Sequence, residues 1–240
     1  KIKEAYELST ITEERLAHSV KKILQYKYKA GLKNQQPIEL TKLSTEINSS
    51  QDEALQYKLY ENIITVIKNK LAILPIKELD EEKIAYVKFG DDSHETFLET
   101  VKKYTDVTEV SNENLDSLHA QLEEYNKVII GFHKADGAWK KHDFSAKEIL
   151  WITEIAKRKK VILNCFVKPY ALSSIPTFEN IDGVIVSYQN NEIAQNVSAQ
   201  LIFGAVEAKG KLPVTINEEF KVNHGLSTKK LNRLGFTHPS

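Results

Sequence analysis

The stretches VIIGF at 128–132 and VILNCF at 161–166 decide the fold class of this chain. Each run is apolar over almost its whole length, which is typical of a strand covered on both faces of a sheet. Between them, Ile149, Ile152 and Ile155 recur at helical spacing. The order strand, helix, strand predicts a βαβ unit, in which the two strands run parallel.

The same alternation continues towards both ends of the chain. Further strands are predicted at 84–89, 107–110, 184–187 and 212–216, and helices at 97–104, 115–125 and 193–202. About six strands is an ordinary size for a sheet. We therefore predict an α/β fold, a three-layer sandwich with a mostly parallel sheet between layers of helices. Because Pro213 has no N–H to donate, the strand at 212–216 is expected at an edge of the sheet.

Two helices are predicted ahead of the sheet. Thr12 suits the N-cap of the first helix, and Gly31 suits the position just after its last turn. The apolar residues of this helix form one stripe: Leu16, Val20, Ile23 and Leu24. The polar segment 33–50 is interpreted as a linker or an extended crossing segment. A second helix is expected from Asp52, with a buried face made of Leu55, Leu59, Ile63 and Val66.

The composition disfavours several classes of function. Lys+Arg and Asp+Glu are equal at 33 each, so the chain lacks the basic excess of a nucleic-acid-binding domain or a polybasic membrane contact. No apolar run is long enough to span a bilayer. There is no Gly-rich phosphate loop and no Cys or His pattern with metal-ligand spacing, so we predict no cofactor and no metal site. The single cysteine, Cys165, lies in an apolar strand, where an inert buried thiol is expected.

Three consecutive segments near the carboxyl end resemble a known family. They are DGVIVSY at 182–188, LIFG at 201–204 and GKLPVTI at 210–216. A strand, a helix ending in a Leu-Phe-Gly-like turn and a Gly-Lys/Arg-Leu-Pro-Val strand follow in this order at the end of the second domain of family 3 glycoside hydrolases. Within this motif Gly204 is expected to end a helix in a left-handed conformation, and Gly210 to allow a turn before Leu212 and Pro213.

The resemblance covers nearly the whole chain and implies four parts. Residues 1–32 are similar to the last helix of a (β/α)8 barrel domain, and 33–78 to a linker with the helix that leads into the second domain. Residues 79–217 resemble the α/β sandwich domain, and 218–240 a C-terminal extension that is compatible with a further domain downstream. The start in a helix-like segment and the absence of methionine suggest a fragment, whose expected partner is the barrel domain with its bound glycan.

Two segments are similar to the β-N-acetylglucosaminidase branch of the family: KPYAL at 168–172 and SYQNN at 187–191. In that branch the resemblance implies an Asp nucleophile and a His–Asp acid/base pair, all on the barrel. The glucosidase branch usually has a Gly-Glu-type acid/base loop after the third strand, where this chain has Gly131-Phe-His-Lys134. The resemblance therefore implies a non-catalytic accessory domain of an enzyme that hydrolyses N-acetylglucosamine-containing glycans, in the periplasm or cell envelope of a bacterium.

Four residues at and after the third predicted strand are candidates for one wall of the substrate cleft: His133, Lys134, Asp136 and Trp139. Loops at the carboxyl ends of parallel strands are where open α/β sheets bind ligands. Trp139 is suited to stacking on a sugar ring. The alternative is a solvated surface loop in which Trp139 packs on its own domain.

A second interpretation of the whole chain stays open at this point, a stand-alone flavodoxin-like module that binds a small ligand or a protein. The first helix distinguishes the two interpretations. A stand-alone module would cover the apolar stripe of that helix within its own chain. A helix left over from a barrel would leave the stripe exposed or paired with another molecule.

Overall fold

The computed structural model describes residues 1–111, 113–137 and 139–236. The chain divides into two units, 1–49 and 50–240. Among the described helices, none is long and apolar enough to cross a membrane.

The first unit is helical. It contains α1 (Ile2–Glu7), α2 (Glu13–Lys29), a 3-10 turn (Leu32–Asn34) and α3 (Leu40–Ile47). Both predicted ends of α2 are confirmed, since Thr12 Oγ1 accepts a 3.2 Å hydrogen bond from the Arg15 N–H and Gly31 has a φ of +75°. The segment predicted as a linker contains α3, so that prediction was wrong over 40–47.

No residue in the helices of the first unit is buried. In the predicted stripe of α2, Val20, Ile23 and Leu24 are exposed. This unit therefore holds a continuous apolar helix face without a core of its own.

The second unit is built on a six-stranded sheet. Its strands are β1 (Thr65–Asn69), β2 (Ile84–Gly90), β3 (Val107–Glu109), β4 (Lys127–His133), β5 (Lys160–Phe166) and β6 (Gly183–Val186). They lie in the order β1-β6-β5-β4-β2-β3. Every pair is parallel except β1 with β6, which is antiparallel. The predicted α/β fold with a mostly parallel sheet is confirmed.

Helices cover both faces of this sheet. The unit contains α4 (Ser50–Ile63), α5 (Glu95–Lys102), α6 (Leu115–Leu122), α7 (Ala146–Arg158) and α8 (Glu192–Ile202). One core joins α6 and α7 to alternate strand residues such as Val128 and Ile130. The other joins α4, α5 and α8 to the opposite side, which includes Ile129 and Ile162. Burial on both faces explains why the central strands are apolar throughout.

The predicted strand at 212–216 is not a strand, which corrects the expected edge of the sheet. The Leu212 N–H donates to the His224 carbonyl at 2.8 Å and the Ile216 N–H to the Phe220 carbonyl at 2.9 Å, so the segment bonds to its own following loop. The edge position is taken by β1, whose Val66 was predicted to lie on a helix. Pro213 is exposed and Leu212 is buried in the core.

The buried face predicted for α4 was also wrong. Leu55 and Leu59 are 55% and 52% exposed, whereas Tyr60 is only 7% exposed. The Tyr60 hydroxyl is hydrogen-bonded to Gln189 and Asn191. A tyrosine supplies an apolar ring and a polar tip together, so the helix turns this residue inward and leaves both leucines on the surface.

The two family-motif glycines occupy positions where a side chain would collide. Gly204 has a φ of +75°, and a Cβ there would lie 2.8 Å from the Leu231 side chain. This confirms the predicted left-handed end of α8. At Gly210 a Cβ would lie 2.4 Å from the Ile63 carbonyl oxygen. Gly210 is therefore required by the close approach of two backbone segments.

Candidate functional site

The carboxyl ends of the parallel strands meet along one edge of the second unit. The chain leaves β2 towards β3 on one side and returns to β4 on the other. Such a reversal of direction opens a crevice at the carboxyl ends of the strands, where ligands bind in open α/β sheets. The loops after β2, β4, β5 and β6 all end at this edge, so the candidate site is built from them.

His133 is the last residue of β4 and is fully buried. Its Nε2 lies 2.8 Å from the Tyr86 hydroxyl and its Nδ1 lies 2.8 Å from Asn190 Oδ1. Its ring stacks on Phe166 with centroids 4.3 Å apart. Burial lowers the pKa of His133 to about 3, because removing water disfavours the imidazolium form. The imidazole is therefore neutral at physiological pH and faces into the protein.

The other three predicted cleft residues lie at the surface. Lys134 Nζ lies 3.6 Å from Asp91 of the loop after β2. Asp136 accepts a 3.2 Å hydrogen bond from the Gln189 amide. Trp139 is 98% exposed, so its indole is not packed against the domain. The structure thus separates one buried histidine from three surface groups.

A groove of about 540 Å³ opens beside this loop. It is lined by Asn62, Ile63, Asp136, Lys168, Pro169, Tyr188, Gln189, Lys211 and Pro213. The groove brings together Asp136, the family-motif residue Pro213 and two segments that the sequence singled out by resemblance, 168–172 and 187–191. Lys211 was not predicted, and its signal was its place next to Leu212 and Pro213 in the same motif.

The polar groups of the groove are held by neighbouring elements. Tyr188 has a positive φ of 67°, and its hydroxyl lies 2.6 Å from Thr65 Oγ1 on β1. Burial is the main cause that raises the pKa of Tyr188, so its hydroxyl stays protonated. The Lys168 ammonium lies 4.0 Å from Asp136, and Lys211 donates to the Gly225 carbonyl. Ring, amide, ammonium and carboxylate groups together can bind a polyhydroxylated ligand.

The groove does not contain the groups that glycoside hydrolysis requires. A retaining enzyme places two carboxyl groups about 5–5.5 Å apart across the bond. Among the described residues that line the groove, Asp136 is the single carboxylate. This arrangement can bind a ligand and cannot by itself supply both a nucleophile and an acid.

Two further kinds of chemistry were examined over the described part of the chain. There, no group of three or more His, Cys, Asp or Glu side chains is placed to hold a metal ion. Cys165 is fully buried in β5, and burial raises the pKa of its thiol. A thiol of raised pKa in an apolar strand is a poor nucleophile.

The fold and the groove define a ligand-binding α/β sandwich domain without a complete hydrolytic centre. Residues 64–237 match the family described as Glycosyl hydrolase family 3 C-terminal domain. The match covers well over half of the chain, and the chain belongs to this family. No match was found among curated proteins by sequence.

Solved structures of several family 3 enzymes share the fold. A β-N-acetylglucosaminidase from a Paenibacillus species is 17% identical with a TM-score of 0.62, over 89% of this chain and 42% of that protein. A β-glucosidase from Erythrobacter marinus is 12% identical with a TM-score of 0.70, over 94% and 42%. A β-glucoside phosphorylase is 18% identical with a TM-score of 0.67, over 89% and 40%. The chain therefore spans less than half the length of these proteins.

Proposed function

We propose that this chain is the non-catalytic C-terminal part of a glycoside hydrolase that cleaves O-glycosidic bonds in N-acetylglucosamine-containing glycans. The family match over 64–237 carries the proposal. The groove supports it, because one carboxylate among its described lining residues is enough for binding and too few for the two-carboxyl mechanism. The catalytic groups then lie on a preceding domain.

The proposed partner is a (β/α)8 barrel domain that precedes the sandwich. Two observations support this partner. The chain corresponds to 42% or less of the similar enzymes named above, and the apolar face of α2 is exposed. An exposed apolar helix face favours a helix that belongs to a larger assembly over a stand-alone flavodoxin-like module.

The proposed substrate class rests on where the two resembling segments lie. Lys168 and Pro169 of the first segment and Tyr188 and Gln189 of the second line the same groove. The loop after β4 carries His133 at the strand end in place of a carboxylate. We propose that this loop and the groove form one wall of the glycan cleft, with Trp139 stacking on a sugar ring.

The first experiment incubates the 240-residue chain with a chromogenic N-acetylglucosaminide. The expected result is no turnover above a protein-free blank, since no acid/nucleophile pair is present in the groove. Turnover above that blank would show that the chain is catalytic and would overturn the proposal.

The second experiment uses the gene upstream of Lys1. An open reading frame that encodes a (β/α)8 pattern supports the proposal, whereas a stop codon or a start methionine at that point refutes it. In the full-length parent, kcat/KM is expected to be higher for an N-acetylglucosaminide than for the matching glucoside. The Trp139→Ala variant is expected to raise KM, and Trp139→Phe, which keeps a ring for stacking, is the matched control.

A further inference from the structure

The loop that follows β6 connects the candidate site to most of the elements around it. Tyr188 contacts β1 through Thr65, and Gln189 donates to Asp136 of the loop after β4. Asn191 caps α8 by accepting a 2.8 Å hydrogen bond from the Ala194 N–H. The remaining residue of the loop, Asn190, forms a larger set of bonds than any of these.

Asn190 uses both ends of its amide. Its Oδ1 accepts from His133 Nδ1 at 2.8 Å and from Gln195 Nε2 at 2.9 Å. Its Nδ2 donates to Asp92 Oδ2 and to the Ser93 carbonyl, both at 2.8 Å. Two acceptors beside Nδ2 fix the orientation of the amide. Oδ1 can then only accept, so His133 carries its proton on Nδ1 and receives the Tyr86 hydroxyl proton at Nε2.

The loop after β2 is held against the same histidine by its backbone. The Asp91 and Asp92 N–H groups both point to the His133 carbonyl oxygen, at 3.0 and 3.3 Å. Gly90 permits this approach, because its φ is +87° and a Cβ there would lie 1.9 Å from that oxygen. The ends of β2 and β4 are therefore clamped together, and Asn190 connects both to the loop after β6.

We propose that Asn190 is a positioning residue of the groove, which holds the loops after β2, β4 and β6 at fixed distances so that Gln189 and Asp136 face a ligand together. This inference rests on the proposed function for the identity of the ligand. The clamp itself is independent of that function. One side chain joins three loops that are separated by about forty or more residues in sequence.

The test replaces the amide by a carboxylate of the same shape, Asn190→Asp. The carboxylate can still accept from His133 and Gln195, but it cannot donate to Ser93 and it repels Asp92. It also favours a charged His133 ring, so the His133 titration is expected to move up by roughly 1 to 3 pH units. Carbon and nitrogen NMR signals of the His133 ring report this titration, with His94, Lys88 and Asp92 as the charged groups that also act on it.

A charge exchange provides the rescue. In the double variant Asn190→Asp with Asp92→Asn, the new amide at 92 can donate to the new carboxylate at 190. Slow amide exchange at positions 91 and 92 is expected to be lost in Asn190→Asp and regained in the double variant. Asn217→Asp is the matched control, because both bonds of Asn217 are accepted by its Oδ1 and survive the change.

The outcomes separate the inference from a general loss of stability. If Asn190→Asp lowers stability but leaves the His133 titration and the exchange at 91 and 92 as in Asn217→Asp, the inference is overturned. If the single variant does not fold, the unmodified chain decides. A neutral His133 ring protonated at Nδ1 down to about pH 3 supports the clamp, and a titration near pH 6 refutes it. All readouts are made without glycan, so a chain that keeps the clamp but binds no glycan contradicts only the proposed function.

Discussion

Replacing Gly204 by alanine tests the family motif at the end of α8. Gly204 has a φ of +75°, and a Cβ there would lie 2.8 Å from Leu231 Cγ and 2.9 Å from Pro75 Cβ. The left-handed conformation costs a non-glycine residue about 1–2 kcal/mol. Crowding in a packed region costs about 1–3 kcal/mol more. The restricted unfolded chain offsets about 0.4–1 kcal/mol.

The expected net loss in the free energy of unfolding is about 2–4 kcal/mol, the sum of these contributions. With a urea dependence of about 2 kcal/mol per molar, the midpoint falls by about 1–2 M. Tryptophan fluorescence is a suitable signal, because Trp151 is buried in the second unit while Trp139 is already exposed.

Gly31→Ala is the matched control for this prediction. Gly31 has the same φ of +75°, but nothing lies within 4 Å of its Cβ position, and it belongs to the first unit. The Trp151 midpoint is therefore expected to stay unchanged, with only a small loss of helical circular dichroism. A Gly204→Ala midpoint equal to that of the unmodified chain would refute the argument from crowding and backbone conformation.

Three further predictions follow from buried groups. The folded pKa of His133, about 3, lies below the unfolded value of about 6.5, so the unfolded chain binds this proton first. Stability is therefore expected to fall by about 1.4 kcal/mol per pH unit as pH drops from about 6.5 towards 3. Urea titrations at several pH values should lose this slope in His133→Phe, and an unchanged slope contradicts the assignment. Cys165 is expected to react with a thiol reagent only as fast as the second unit unfolds, and rapid labelling of the folded chain would show that it is not buried. Tyr60→Ala is expected to cost about 3–5 kcal/mol of unfolding free energy as a large buried ring, and Leu59→Ala less than about 1 kcal/mol as an exposed side chain. Equal losses would mean that the sequence-based face of α4 was right after all.

Local patterns predicted the central strands because their environment is uniform. Strands β2, β4, β5 and β6 lie between two layers of helices, so almost every residue in them is buried. Such a strand leaves a continuous apolar run that a short sequence window detects. The left-handed glycines were predictable for a similar reason, since Gly31 and Gly204 each follow the last turn of an amphipathic helix.

The two errors in the sheet have one physical cause. Val66 continues the helical spacing of Ile63, and LPVTI at 212–216 has a strand-like composition, so local propensity favours the wrong assignment in both places. Which segment becomes the edge strand depends on pairing with β6. Thr65–Asn69 pairs with Gly183–Val186, whereas Leu212 bonds to His224.

The candidate site shows the same limit. The sequence pointed to the loop after β4, because ligand sites follow parallel strands. It did not predict that His133 turns inward, since its partners Tyr86 and Asn190 lie 47 and 57 residues away. Nor did it predict the groove, which assembles residues from α4, three loops and the exit segment.

By itself the sequence determined the α/β class, the order of the central strands and helices, the left-handed ends of two helices and the family resemblance. These depend on residues close together in the chain, where periodicity and backbone sterics act. Only the tertiary structure decided the edge strand, the buried face of α4, the neutral state of His133 and the hydrogen bonds of Asn190. Each of these depends on which distant segments meet, and the free energy of such contacts comes from burial and hydrogen bonding that no local pattern contains.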